Sequence, residues 1–245
     1  VTAIIEAHRI SKTIAPGGQA APLPILRGIE FTAAPGEFVS ILGPSGSGKT
    51  TLLRCLSGLT ALTAGTILIN GQPLSALSAK QLALLRRTTL SYIFQSYNLL
   101  PALSVLENIV LPLRLSHHPI NVQAVQRLMA ELRFKADLHQ RPAALSGGEQ
   151  QKVAIARALM TKAKLIFADE PTGALDSLSR AIIFDKLRAL AVSGACVVMV
   201  THDIAQAAKT DRTLILRDGR IAAIDTRPTE RRLFEAMQSA EQVRP

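Results

Sequence analysis

The apolar residues of this chain fall in short runs separated by turn-forming residues. "TAIIEAHRI" (2–10), "ILRGIEFTA" (25–33) and "EFVSILG" (37–43) predict strands. "GKTTLLRCLSGL" (48–59) predicts a helix ending at Gly58, and "GTILINGQ" (65–72) a strand entering a turn. "SAKQLALLRR" (78–87) reads as a short helix capped by Ser78, and "TLSYIFQ" (89–95) as a further strand. From 96 to 160 the pattern is mostly helical, punctuated by prolines at 101, 112, 119 and 142. Strand signals return in "KLIFADE" (164–170), "ACVVMVTHD" (195–203) and "RTLILRDGRIAAID" (212–225). The runs LIFA and VVMV do not alternate, as expected of parallel strands covered on both faces. Strands alternating with helices indicate an α/β fold. The expected organisation is one domain over 1–245. Residues 1–95 and 161–226 form its α/β core, 96–160 a helical insertion, and 227–245 a short basic helical tail.

Composition narrows the classes. The chain has 245 residues, 48% of them apolar, and a mean hydropathy of +0.24. No uninterrupted apolar run reaches the roughly 18 residues of a spanning helix. The start, "VTAIIEAHRISK", shows no signal-peptide pattern. Cys55 and Cys196 sit in apolar settings and read as small buried hydrophobes in a reducing compartment. A formal charge of +10 would suit nucleic acid, an anionic membrane surface or a nucleotide. The basic residues are scattered, however, with short clusters only at Arg86–Arg87 and Arg231–Arg232. Aromatics make up 4% and Trp is absent, which argues against nucleic acid held by stacking.

Chemistry first shows at "GPSGSGKTT". Gly43-x-x-x-x-Gly48-Lys49-Thr50 follows a predicted strand and opens a predicted helix, the context a phosphate loop needs. Backbone N–H groups of such a loop turn around phosphate oxygens, and the helix N-terminus adds partial positive charge. Lys49 brings a point charge and Thr50 a hydroxyl for Mg²⁺. "LIFADE" ends in Asp169 and Glu170; neighbouring strand residues point opposite ways, so one carboxylate could serve the metal and the other an attacking water. A second glycine-rich helix start, Ser146-Gly147-Gly148-Glu149, fits a capping box, which needs Ser and Glu but not two glycines. Those glycines would let backbone N–H groups approach an anion, so this loop too is suited to phosphate. Two copies placed head to tail could close each loop on the other's ATP.

These motifs, in this order, resemble the ATPase subunit of an ABC transporter, over residues 1 to about 225. "GPSGSGKT" is similar to the Walker A loop, Gln95 to the Q-loop, "LSGGEQ" to the family signature, "LIFADE" to Walker B, "GALD" to the D-loop, and His202 in "VMVTHD" to the switch histidine. The resemblance implies a P-loop ATPase core with a mostly parallel sheet, an antiparallel β subdomain and an inserted helical subdomain. It implies ATP and Mg²⁺ as cofactors. Gly43, Ser45, Gly46, Ser47, Gly48, Lys49, Thr50, Thr51 and Gln95 would bind ATP; Thr50, Gln95 and Asp169 would organise Mg²⁺. Glu170 would be the general base and His202 would contact the γ-phosphate. Ser146, Gly147, Gly148, Glu149 and Asp176 would act on the ATP of a partner copy. "SYIFQSYNLLPALSVLENIVLPL" and "FADEPTGALDS" resemble the group serving lipoprotein release, macrolide, antimicrobial-peptide or haem export, and a related cell-division complex.

That resemblance makes the chain a peripheral motor on the cytoplasmic face of the plasma membrane. It would drive a separate permease that docks near Ser96–Leu115, a segment rich in Leu and Val but broken by Pro101 and Pro112. The alternative is a regulator that transmits conformational change without transport. A nucleic-acid ABC ATPase would need two cassettes or a long coiled coil, and neither is present, so no nucleic-acid partner is expected. His117 and His118 read as loop residues. Two positions depart from the family. Ile14 stands where an aromatic usually stacks on adenine, and Lys152 stands where many members have Arg, giving up a planar fork.

Overall fold

A computed structural model describes residues 2–15 and 21–242. The expected tail therefore runs past the described residues at 243–245. Two sheets carry the fold. The first has the order β2-β1-β4-β5 and is antiparallel throughout: β1 (Ile5–Ile14), β2 (Leu23–Ala33), β4 (Ala64–Ile69) and the two-residue β5 (Gln72–Pro73). The second has the order β10-β9-β3-β8-β7-β6, made of β3 (Phe38–Leu42), β6 (Leu90–Ile93), β7 (Leu165–Asp169), β8 (Cys196–Val200), β9 (Arg212–Arg217) and β10 (Arg220–Asp225). All its pairings are parallel except the β9–β10 hairpin. β3, β7 and β8 are buried at every position, the physical reason their sequences do not alternate.

Among the described residues eight α-helices accompany these strands: α1 (Lys49–Leu56), α2 (Ala79–Thr88), α3 (Val105–Leu115), α4 (Val122–Glu131), α5 (Gly147–Met160), α6 (Ser177–Val192), α7 (Ile204–Ala207) and α8 (Glu230–Gln242). α6 is a helix that the hydrophobic patterning does not single out. Two large apolar clusters flank the parallel sheet. One joins the antiparallel sheet and α1 to one face through Leu52, Leu53, Phe167 and Val198. The other packs α3, α4, α5 and α6 on the opposite face through Ile109, Met129, Val153 and Leu187. α8 seals the β9–β10 end with Leu233. Cys55 and Cys196 are buried thiols, pushed up by burial to about 11 and about 12. Both stay protonated and unreactive.

The helical segment begins later than its apolar content predicts. Residues 96–104 form turns, and α3 starts only at Val105 behind a Ser104–Glu107 capping box. Pro112 does not break this segment but sits inside α3. The fully buried Asn108, one turn earlier, organises the entry. Its amide nitrogen donates to the carbonyls of Leu100, Leu103 and Ser104, and its oxygen accepts from Leu100 N–H. Packing and these bonds outweigh the cost of an internal proline.

Candidate active site

The loop 43–48 leaves β3 where only glycine fits. A Cβ at Gly43 would lie 2.1 Å from the Leu216 carbonyl oxygen. At the other end Gly48 adopts φ +101°, with the Ile25 carbonyl 3.0 Å from where a Cβ would stand. α1 consequently starts bare: Gly48 provides no side-chain cap, and the first turn has no acidic residue. By contrast α2, α3 and α5 carry complete capping boxes, and α4 and α6 carry Asn and Asp caps. The free N–H groups of α1 are left for an anion. Lys49 Nζ donates to the carbonyls of Gly43 and Pro44, both at 2.8 Å, which holds the ammonium over the loop. Burial lowers its pKa, against the opposing pull of the Glu170 and Asp169 charges. The Ser47 hydroxyl is buried and has no partner among the described residues. An orphaned polar atom in this loop fits a cradle shaped for phosphate oxygens.

Asp169, 2% exposed, ends β7. Thr50 Oγ1 donates to its Oδ1 at 2.9 Å and the Tyr92 hydroxyl to its Oδ2 at 3.3 Å. Burial pushes the Asp169 carboxyl above its ordinary value; those two hydrogen bonds and the Arg54 and Lys49 charges act the other way. Burial first, then the Asp169 charge, pushes the Tyr92 phenol up. No group of three His, Cys, Asp or Glu able to hold a metal exists among the described residues. The oxygen donors here, Thr50, Asp169 and Gln95, are an incomplete set. They fit Mg²⁺, which keeps several waters and takes phosphate oxygens rather than a full protein cage. Bound there, the ion would supply positive charge to the terminal phosphates.

Glu170 lies just beyond β7, and the backbone turn rather than the strand pleat aims it. Its φ is +48°, the left-handed region, which costs a non-glycine residue about 1–2 kcal/mol. The turn is held by Glu170 N–H to the Val200 carbonyl at 3.0 Å and by Gly173 N–H to the Glu170 carbonyl at 3.3 Å. Glu170 Oε2 meets His202 Nδ1 at 2.9 Å. The histidine is 74% exposed and the carboxylate 13%, so the pair stands at the mouth of the site with the carboxylate inside. A cleft of about 500 Å³ brings together Gly43, Ser45, Lys49, Gln95, Glu170 and His202, 159 residues apart at the extremes. A second pocket of about 380 Å³ shares Ser45, Lys49, Gln95 and Glu170 with this cleft and adds Thr50, whose hydroxyl donates to the buried Asp169 behind it. The arrangement places a carboxylate, an ammonium and a bare helix end around one space, with the Thr50 hydroxyl next to it. That is what attack of water on a terminal phosphoryl group needs.

Ser146, Gly147, Gly148 and Glu149 do not line this cleft. Ser146 Oγ accepts from Glu149 N–H at 3.3 Å and Ser146 N–H donates to Glu149 Oε2 at 2.9 Å, closing the capping box of α5; the hydroxyl also donates to Oε2 at 2.9 Å. The glycines also have a reason inside this chain. A Cβ at Gly147 would lie 3.1 Å from the Tyr97 hydroxyl, and one at Gly148 would lie 3.3 Å from the Ala174 carbonyl. Asp176 caps α6 through Ser179 N–H at 2.9 Å.

A family model described as ABC transporter matches residues 26–173. The chain belongs to the ABC transporter ATPase family. It is 43% identical over 220 residues to the macrolide export ATP-binding/permease protein MacB of Marinobacter nauticus, covering 89% of this chain but only 34% of that protein. The lipoprotein-releasing system ATP-binding protein LolD of Aquifex aeolicus is 43% identical over 206 residues, 83% of this chain and 92% of its own. Among solved structures, the dimeric ATP-binding cassette MJ0796, in a post-hydrolysis state with ADP and Pi, matches with TM-score 0.85 at 34% identity. That match covers 91% of this chain and 98% of the other. The chain thus spans about a third of the macrolide exporters it matches. Its fold is that of an ABC ATPase cassette, and its activity is ATP hydrolysis.

In this ABC ATPase the two departures have local outcomes. Ile14 ends β1 and is 48% exposed. Among the described residues Ile25 of β2, rather than Ile14, lines the second P-loop pocket, with Gly46, Gly48 and Thr51. Lys152 is buried and donates to the Arg133 carbonyl at 3.1 Å, a single-point bond where a guanidinium would make two. Sequence reasoning missed three contributors. Tyr92 reaches Asp169 across 77 residues. Gln151 lines the cleft while its amide donates to the Pro171 carbonyl at 2.8 Å. Arg157 binds the carbonyls of Asn98 and Tyr97 at 2.6 and 2.7 Å, tying the turn after Gln95 to α5. The only sequence signal for the first was an aromatic with a hydroxyl on the predicted strand that ends at Gln95.

Proposed function

We propose that the chain is the motor of a membrane exporter. Two copies close head to tail around two ATP, with Ser146 to Glu149 and Asp176 of each acting on the nucleotide held by the other. The carrying observation is that the signature segment is capped, exposed at Ser146 and Gly147, and outside its own cleft, although it starts a second glycine-rich helix. The dimeric cassette with ADP and Pi supports this arrangement. Glu170 acts as general base, His202 contacts the γ-phosphate, and Thr50, Gln95 and Asp169 organise Mg²⁺. Among the described residues no helix is long and apolar enough to cross a membrane. The cassette sits peripherally at the cytoplasmic face and works through a permease, a reading supported by relatives named as export and lipoprotein-releasing ATP-binding proteins. Relatives named for macrolide export, lipoprotein release and bacitracin export support a hydrophobic or amphipathic cargo.

The docking surface is the groove of about 340 Å³ where Tyr92, Phe94 and Leu59 face Asn98, Pro112 and Arg157. The segment Ser96–Leu115 contributes one wall of it. Of the leucines in that segment, Leu99 packs on the helical cluster and Leu100 is 47% exposed, and neither lines the groove itself. The test is light scattering on Glu170→Gln with and without Mg·ATP. Mass doubling with nucleotide, abolished by adding Ser146→Arg, is expected. A monomer at saturating Mg·ATP, or a dimer indifferent to Ser146→Arg, would overturn the sandwich.

A further inference from the structure

We propose that Tyr92 is a positioning residue for the metal carboxylate, its hydroxyl fixing Asp169 Oδ2 so that Oδ1 is turned toward Thr50. The proposal rests on reading the cleft as a Mg·ATP site. Its basis is register. β6 runs parallel to β7 with Tyr92 opposite Phe167. Phe167 and Asp169 are two apart, so they share a face of the sheet, and Tyr92 shares it with them. The ring therefore lies diagonally across from the carboxylate, and its hydroxyl reaches Oδ2 at 3.3 Å while Thr50 takes Oδ1 at 2.9 Å. With one donor on each oxygen, rotation of the carboxylate about its last bond is blocked.

The ring itself packs against two others. Its centroid lies 4.3 Å from that of Phe94 and 6.4 Å from that of Phe167. Packing alone would be served by phenylalanine at this place. The hydroxyl is what packing does not require, and its partner among acidic side chains is Asp169. Hydrogen bonds to a metal-ligating carboxylate from outside the ligand set fix its orientation and tune metal affinity. Tyr92 and Phe94 also form one wall of the groove assigned above to the permease. A contact made there bears directly on the ring that holds the metal carboxylate, independently of Gln95.

Tyr92→Phe removes the hydroxyl and keeps the ring. Two equilibrium measurements separate positioning from general damage. Mn²⁺ binding is followed by loss of the free-ion electron paramagnetic resonance signal, with a non-hydrolysable ATP analogue present. Binding of a fluorescent ATP derivative is measured in EDTA. We expect Mn²⁺ affinity to fall about 10-fold, the low end for such partners because the bond is long. Metal-free nucleotide affinity should be unchanged. In turnover, the Mg²⁺ concentration for half-maximal rate should rise by the same factor, with kcat largely regained at saturating Mg²⁺. Unchanged Mn²⁺ affinity, or an equal loss of metal-free nucleotide affinity, would overturn the proposal. If the wild-type chain with nucleotide failed to take up Mn²⁺ at all, the reading of the cleft would fall first.

Discussion

Replacing Glu170 by Gln removes a negative charge and a proton acceptor while keeping the side-chain shape. The structure argues that little else changes. An amide oxygen still accepts the His202 Nδ1 hydrogen bond now at 2.9 Å. The backbone at φ +48° costs Gln and Glu alike, so the strain cancels. Lys49 keeps its hydrogen bonds to the Gly43 and Pro44 carbonyls and loses only the Glu170 charge, one of two carboxylates that act on it. Stability should move by less than about 1 kcal/mol, or roughly 2–4 °C in Tm for a chain of this size. Loss of a general base costs about 10²–10⁴ in rate, equivalent to about 3–5 kcal/mol of barrier. The kinetic effect exceeds the structural one several-fold. Phosphate release under saturating Mg·ATP should therefore fall by at least about 100-fold, while fluorescent-ATP affinity and the melting curve stay near wild type. A turnover within tenfold of wild type would refute Glu170 as the base. A parallel collapse of Tm would show that the carboxylate is structural.

Three further outcomes follow from the same geometry. Because Glu170 is left-handed, Glu170→Gly should be more stable than Glu170→Ala by about 1 kcal/mol, the reverse of the usual order, and thermal melts of the two variants check it. Ser146→Ala removes the N-cap of α5 and should cost about 0.5–2 kcal/mol in denaturant unfolding at neutral pH. The Ser146 backbone N–H, which Ala keeps, is the main group holding the Glu149 carboxyl below its ordinary value, and the hydroxyl, which Ala lacks, adds a second share. That part of the stability is present above the unfolded carboxyl's pKa and lost as pH falls through the folded one. The deficit of the variant should therefore shrink in acid, and a pH-independent deficit would contradict this. Ile14→Tyr should tighten ATP, since stacking on a base is worth about 1–3 kcal/mol, and discrimination between ATP and GTP should stay modest because stacking serves every base. Unchanged nucleotide affinity would mean that another residue, with Ile25 the first candidate, already covers the base.

What the sequence determined by itself is everything held within one turn of chain. The P-loop is contiguous. Its glycines are forced by the backbone conformation they must adopt, and its Lys and Thr follow within two residues, so nothing distant is needed to recognise it. The same holds for the capping box of Ser146 and for β7, β8 and β3, whose unbroken apolar runs announce burial on both faces. Tertiary structure decided what depends on the meeting of remote segments. Pro112 lies in a helix because Asn108 and the surrounding core hold α3 together, and local proline chemistry points the other way. Glu170 faces the cleft through a left-handed turn anchored on Val200 of a neighbouring strand, which strand alternation does not foresee. Tyr92 meets Asp169 only because β6 pairs with β7 in one particular register, and a shift by one residue would turn the hydroxyl to the opposite face.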